Sequence, residues 1–190
     1  MNDWKNKRKI MHRYDLTAEM YDERYAKEQR GKYKKALENV NVAGNAVLDV
    51  GCGSGLFFGQ VESQANLVVG VDVSHKLLLK AREKAGGFRN VCVLQADADH
   101  LPFKDGFFGC VFAFTVLQNM PEPLETLNEL KRVATLGGRV VVTGLKKAFS
   151  LNVFMDLLVG SALRIVAFLD YEAVNCYVGV LATPSTFAQT

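Results

Sequence analysis

The sequence predicts an α/β protein: a three-layer, doubly wound, mostly parallel sheet, with helices in front of it and a shortened C-terminal end behind. Three observations predict it. From residue 46 onward, short β-rich apolar runs alternate with helical stretches, the pattern of successive βαβ units. The runs are continuous in Val, Leu, Phe and Ala instead of alternating with polar residues, as strands are when helices cover both sheet faces. A glycine cluster follows the first run, and sheets of this kind bind ligands beyond the carboxyl ends of their strands. With 190 residues, 49% of them hydrophobic and 23% charged, the chain has the make-up of an ordinary globular protein with one core. Residues 1–190 therefore read as a single domain, with no repeat or interdomain linker.

Residues 14–40 are polar and rich in helix formers, with Leu16, Met20, Tyr21, Tyr25, Tyr33 and Leu37 spaced as on amphipathic helices. They belong to an N-terminal helical arm, 1–43, which Gly44 and Asn45 end. The core, 44–145, holds strands at 46–50, 67–73, 91–96, 109–116 and 139–144, with helices near 56–64, 74–85 and 123–134. The C-terminal part, 146–190, reads as one apolar helix over 149–169 and a single strand-like run at 175–182 before Thr183 and Pro184. An incomplete sheet edge is a liability unless covered, so the apolar helix or another subunit is expected to cover it. The apolar stretch 151–169 is long, but Asp156 and Arg164 lie within it; both would be costly in hydrocarbon, so it reads as a packing or partner surface and not as a membrane span.

Charge is uneven. Residues 1–35 carry eleven Lys or Arg against six Asp or Glu, while the rest carry twelve against fourteen. A basic arm with Trp4 among Lys5, Lys7, Arg8 and Lys9 suits RNA, although a charged stretch is more often a solvated helix face. The four cysteines form no CxxC pair, no metal-ligand cluster stands out, and the N-terminal residues lack an apolar secretory core, which together point to a reducing cytoplasm.

The chemistry gathers at three strand ends. Asp49-Val50-Gly51-Cys52-Gly53-Ser54-Gly55 lets the backbone turn sharply and approach a ligand closely before the next helix. A dinucleotide fingerprint needs glycine at position 56, where Leu stands, so that cofactor class loses its main support. Asp72, ending the second strand, stands where a carboxylate could accept from both hydroxyls of a ribose; the plainer reading is that Asp72 or Ser74 caps the following helix, and Ser74 can do so while Asp72 binds the sugar. Asp97, ending the third, stands where one accepts from an adenine amine.

Together these residues resemble the class I S-adenosylmethionine-dependent methyltransferases, particularly the group with the quinone-biosynthesis C-methyltransferases, over roughly residues 14–144. The resemblance implies the Rossmann-like methyltransferase fold and S-adenosyl-L-methionine as cofactor. It places Gly51, Cys52, Gly53 and Gly55 under the methionine and ribose, Asp49 near the methionine amino group, and Asp72 on the ribose. Val73 would pack on the adenine, Asp97 and Ala98 would hold its amine and ring edge, and Phe114 and Tyr21 would border the cofactor. The run from Asp97 to Phe108 is similar to the family's D-x-x-x-LPF-x-D run, with Gly109 where the family usually has Asp. Arg13 to Asp22 is similar to a helix that folds over the cofactor, Tyr14 and Tyr25 flanking Tyr21.

Where the family often has histidines after the fourth strand, Gln118 and Asn119 stand here; they are the expected catalytic groups facing the acceptor. His12, His75 and His100 are the available bases, and a lone loop histidine is usually solvated. Neither the N/D-P-P-Y/F run of amino-group methyltransferases nor a Pro-Cys nucleophile is present, and Cys110 reads as core. A small-molecule acceptor is the first reading. The alternatives are a tRNA-directed enzyme and a cofactor-binding partner subunit without its own activity.

Overall fold

A computed structural model describes residues 3–185. Two helices come first, α1 (Asp3–Thr17) and α2 (Tyr21–Leu37), joined by a single 3₁₀ turn. Then follow β1 (Ala46–Val50), α3 (Phe58–Val61), β2 (Leu67–Asp72), α4 (His75–Ala85), β3 (Val91–Gln95), β4 (Phe108–Ala113), α5 (Pro123–Val133), β5 (Ala134–Leu145), α6 (Leu151–Gly160), β6 (Arg164–Tyr171) and β7 (Cys176–Ala182). Met1, Asn2 and residues 186–190, part of the predicted arm and C-terminal region, lie outside the described residues.

The seven strands run in the order β3-β2-β1-β4-β5-β7-β6. β1 to β5 are mutually parallel, and β7 runs antiparallel to both of its neighbours. Chain order reverses between β1 and β4, so the carboxyl ends of these two strands open the crevice in which such sheets bind ligands. Pleating sends alternate side chains to opposite faces. Leu48 and Val50 join Val111, Val140, Leu127, Leu130, Phe154 and Leu158 beneath α5 and α6. Val47 joins Phe57, Phe58, Val68, Leu78, Ala81, Tyr33 and Ala36 beneath α2, α3 and α4. These are the three layers that the apolar runs predict.

The C-terminal part holds two strands where the sequence led us to expect one. The expected single helix over 149–169 stops at Gly160, and the chain turns through Ser161 and Ala162, the latter at φ +54°. Ser161 Oγ donates to Leu158 O at 2.6 Å and accepts from Leu163 N at 3.3 Å, satisfying groups the helix end leaves open. Residues 164–171 then form β6, which pairs along β7. A short apolar run reads equally as buried strand or buried helix, and the missing strand was hidden there. β6 thus covers the edge of β7. No helix among the described residues is long and apolar enough to cross a membrane.

Gly109 has a structural cause. A Cβ there would lie 2.8 Å from Asn45 Cγ and 3.1 Å from its Cβ, so this chain fills with Asn45 the space that a side chain at 109 would take. Gly109→Ala is expected to lower stability by about 1–3 kcal/mol. Asn45→Ala should recover most of that loss, and a double-mutant cycle in urea should show coupling of at least about 1 kcal/mol; additive effects would rule the clash out.

Candidate active site

The turn after β1 works because three of its residues are glycines at positive φ: Gly51 at +70°, Gly53 at +55° and Gly55 at +78°. Side chains are excluded there. A Cβ on Gly51 would lie 2.5 Å from Val116, one on Gly53 would lie 3.3 Å from the Tyr21 ring, and one on Gly55 would lie 2.5 Å from Phe58. Gly51 N and Cys52 N both donate to Val71 O, at 2.8 and 2.9 Å. The turn is fixed to β2 before any ligand arrives.

Asp72 completes this junction. Its Oδ2 accepts from Gly53 N at 2.9 Å and its Oδ1 from Ser74 N at 2.8 Å. Each carboxylate oxygen has a further lone pair to offer, so both can still accept from a ligand. The helix cap belongs to Ser74, whose Oγ accepts from Leu77 N at 3.2 Å. Burial pushes the Asp72 carboxyl up, against the three backbone amides at Gly53, Val73 and Ser74 that pull it down. Asp49 lies behind the turn, 2% exposed, and its carboxylate has no hydrogen-bond or ion-pair partner among the described residues. Burial, reinforced by the charge of Asp72, raises it well above the usual carboxylate range. Two desolvated carboxylates side by side make a site that calls for positive charge.

A cleft of about 730 Å³, open to solvent, lies over these strand ends. Of the residues named from sequence for the site, Tyr14, Tyr21, Gly51, Asp72, Val73, Asp97, Ala98, Phe114 and Asn119 line it. Asp49, Cys52, Gly53, Gly55 and Gln118 do not. Gly53 and Gly55 shape the turn from behind, and the buried Cys52 side chain faces β2, where a Cβ on Gly70 would meet its Sγ at 3.0 Å. Gln118 Nε2 instead donates to Thr115 O, and its Oε1 is buried without a partner. Asn119 Nδ2 donates to Thr115 O at 3.1 Å and to the Tyr14 hydroxyl at 3.2 Å, while its Oδ1 accepts from Arg13 at 3.2 Å. Burial, then the neighbouring Tyr14 and Asp72, push the Tyr21 hydroxyl up, so it remains a neutral donor. His12, His75 and His100 are all exposed and outside the cleft.

Two polar lining residues were not among the expected site residues. Lys7, on α1, places its ammonium 2.9 and 2.7 Å from the Asp97 oxygens and 2.5 Å from Asp99. The charge of Asp97 is therefore already engaged at the end of the cleft where the adenine amine was expected. No local motif signals a contact across 90 residues. Thr115, just past β4, holds φ +63°, a conformation that costs a β-branched residue on the order of 1–3 kcal/mol. Thr115 N donates to Thr143 Oγ1 at 2.7 Å, and Thr115 Oγ1 accepts from Lys32 Nζ at 3.0 Å and Gln29 Nε2 at 3.3 Å. The neighbouring Met120 and Phe114 give this end of the cleft an apolar wall.

An α/β sheet with a glycine-turn cleft at its switch point, bearing unpaired carboxylates, defines a binder of nucleoside-type ligands. Residues 48–142 match the family model of the methyltransferase domain, and the chain belongs to that family. It is 36% identical over 126 residues to a phosphatidylethanolamine N-methyltransferase of Cereibacter sphaeroides, covering 65% of this chain and 62% of that protein. It is 34% identical over 112 residues to a demethylmenaquinone methyltransferase of Staphylococcus saprophyticus, covering 57% of this chain and 48% of that one. The chain thus spans about half to three-fifths of the length of these curated relatives. A SAM-dependent methyltransferase from Aquifex aeolicus superposes with a TM-score of 0.78 at 22% identity, over 88% of this chain and 97% of that one, which establishes the shared fold.

The raised Asp49 carboxyl makes a pH-dependent prediction. Above the usual carboxylate range the unfolded Asp ionises while the folded one resists, so burial lowers stability there; below that range both states are protonated and the penalty vanishes. Asp49→Asn should therefore stabilise the ligand-free protein in denaturant melts at neutral pH. The gain should shrink toward zero as pH falls to about 4; a gain independent of pH would contradict the burial argument.

Proposed function

We propose that the chain is an S-adenosylmethionine-dependent methyltransferase that transfers a methyl group to a small-molecule acceptor in the cytoplasm. The observation that carries this is the pair of desolvated carboxylates, Asp49 and Asp72, beside a backbone turn too tight for side chains. When bound, the cofactor supplies a sulfonium whose methyl is already activated, together with an ammonium group. Its positive charge and its ribose hydroxyls are what the two carboxylates lack.

In this reading Asp72 takes the ribose hydroxyls while continuing to hold the turn, and Asp49, behind the turn, attracts the methionine ammonium through its charge. Gly51 allows the backbone to approach, Val73 packs on the adenine, Asp97 shares its carboxylate between Lys7 and the adenine amine, and Ala98 offers its amide. Tyr21 and Phe114 wall the sulfonium end. Asn119, held by Tyr14 and Arg13, faces the acceptor. Gln118 supports the strand-end turn from behind. No general base is required of the chain for an acceptor that reacts without losing a proton first; the residues mainly hold two reactants within near-attack distance and keep water out.

The phospholipid and quinone named for the two relatives support a small-molecule acceptor. The basic arm offers less to RNA than its composition suggests, because Lys7 and Lys32 are buried in internal ion pairs. The four cysteines are free thiols, which suits a reducing compartment. β6 covers the edge of β7 and is itself the terminal strand of the sheet.

Calorimetry with S-adenosylhomocysteine tests the reading. The wild type should bind, and Asp72→Asn should weaken binding at least tenfold, about 1.4 kcal/mol. No binding by the wild type, or binding indifferent to the substitution, would sink the cofactor assignment.

A further inference from the structure

Thr115 is held at every polar atom. Its amide is bound by Thr143 of β5, its carbonyl by Gln118 and Asn119 of the following turn, and its hydroxyl by Gln29 and Lys32 of α2. A β-branched residue at φ +63° persists only where its surroundings over-determine it, and such residues cluster at functional sites. The hydroxyl oxygen accepts twice, at 3.0 Å from Lys32 and 3.3 Å from Gln29. Both lone pairs are then used, and the proton is what remains for it to give.

The groups behind it serve no evident packing purpose. Lys32 is fully buried, and its ammonium is balanced by Glu28 at 2.6 Å. Gln29, 5% exposed, and Gln118 each keep a buried amide oxygen without a partner. A buried cation and two under-used amides around one strained hydroxyl on the cleft wall are an expensive arrangement for an apolar core.

We propose that Thr115 is the acceptor-contacting hydroxyl of this enzyme, donating a hydrogen bond to an oxygen of the methyl acceptor. Lys32 and Gln29 are its positioning residues: by occupying the lone pairs they force the hydroxyl to donate. The acceptor therefore carries an oxygen with a free lone pair, a carbonyl or an oxyanion, bound against the apolar wall of Phe114 and Met120. This rests on the methyltransferase reading above.

The test compares two probes of one shape, 2-acetylnaphthalene, whose oxygen only accepts, and 2-ethylnaphthalene, which has none. Their affinities are read by fluorescence with S-adenosylhomocysteine saturating. The ketone-to-hydrocarbon affinity ratio should fall about tenfold in Thr115→Val and stay within about twofold of wild type in Thr115→Ser. It should fall in Lys32→Met and recover in Lys32→Arg, a rescue that a role in stability alone would not produce in a ratio. Equal losses for both probes, an unchanged ratio in Thr115→Val, or no binding of either probe to the wild type would overturn the proposal. Failure of S-adenosylhomocysteine to bind the wild type would overturn the cofactor reading instead, and the same ratio measured without it still decides on Thr115.

Discussion

The structure hangs on the carboxylate of Asp72. By accepting from Gly53 N and Ser74 N it joins the glycine turn after β1 to the start of α4, so one side chain sets the floor of the cleft and its neighbouring wall together. The turn needs this anchor. Three residues at positive φ give up conformational freedom, and the turn's amides are satisfied close by: Gly51 N and Cys52 N by Val71 O of β2, Gly53 N by Asp72, and Gly55 N by Cys52 O. A carboxylate held in place by amides and partly withdrawn from water is also preorganised for hydroxyl donors, because the reorganisation has been completed during folding.

Around this junction the N-terminal helices close the cleft through a row of charged contacts. Lys7 reaches Asp97 and Asp99, Asp15 accepts from Ser74 Oγ at 2.6 Å and Lys76 N at 3.2 Å, and Asp22 pairs with Lys84 at 2.6 Å. Most of these ties are polar and only partly buried, whereas α2 is also fixed by packing of Tyr33 and Ala36 into the core. The first helix is thus held by polar ties to the cleft wall, the second by polar ties and apolar packing together.

The C-terminal half shows how packing settles what composition leaves open. Apolar residues from 151 to 169 read as one helix, yet Gly160, Ser161 and Ala162 break them into α6 and β6. What decides is the neighbour: β7 presents a row of backbone donors and acceptors, and residues 164–171 pair along it. The same logic explains Gly109, whose missing side chain makes sense only once Asn45 is seen occupying its space.

The sequence by itself determined the layered α/β class, the five parallel strands, the glycine turn and the two acidic strand ends, because each is a local signal: hydrophobic period, backbone freedom, and one residue type at a strand terminus. It left open whether Asp72 or Ser74 caps α4, and the Leu77 N–Ser74 Oγ hydrogen bond decides for Ser74. Only the tertiary structure decided that Cys52 faces β2, that Gln118 serves Thr115 while Asn119 faces the cleft, and that Lys7 and Lys32 spend their charge inside. The two lysine assignments depend on contacts across 83 to 92 residues, and no spacing in the chain encodes a distance that exists only after the helices have packed against the sheet.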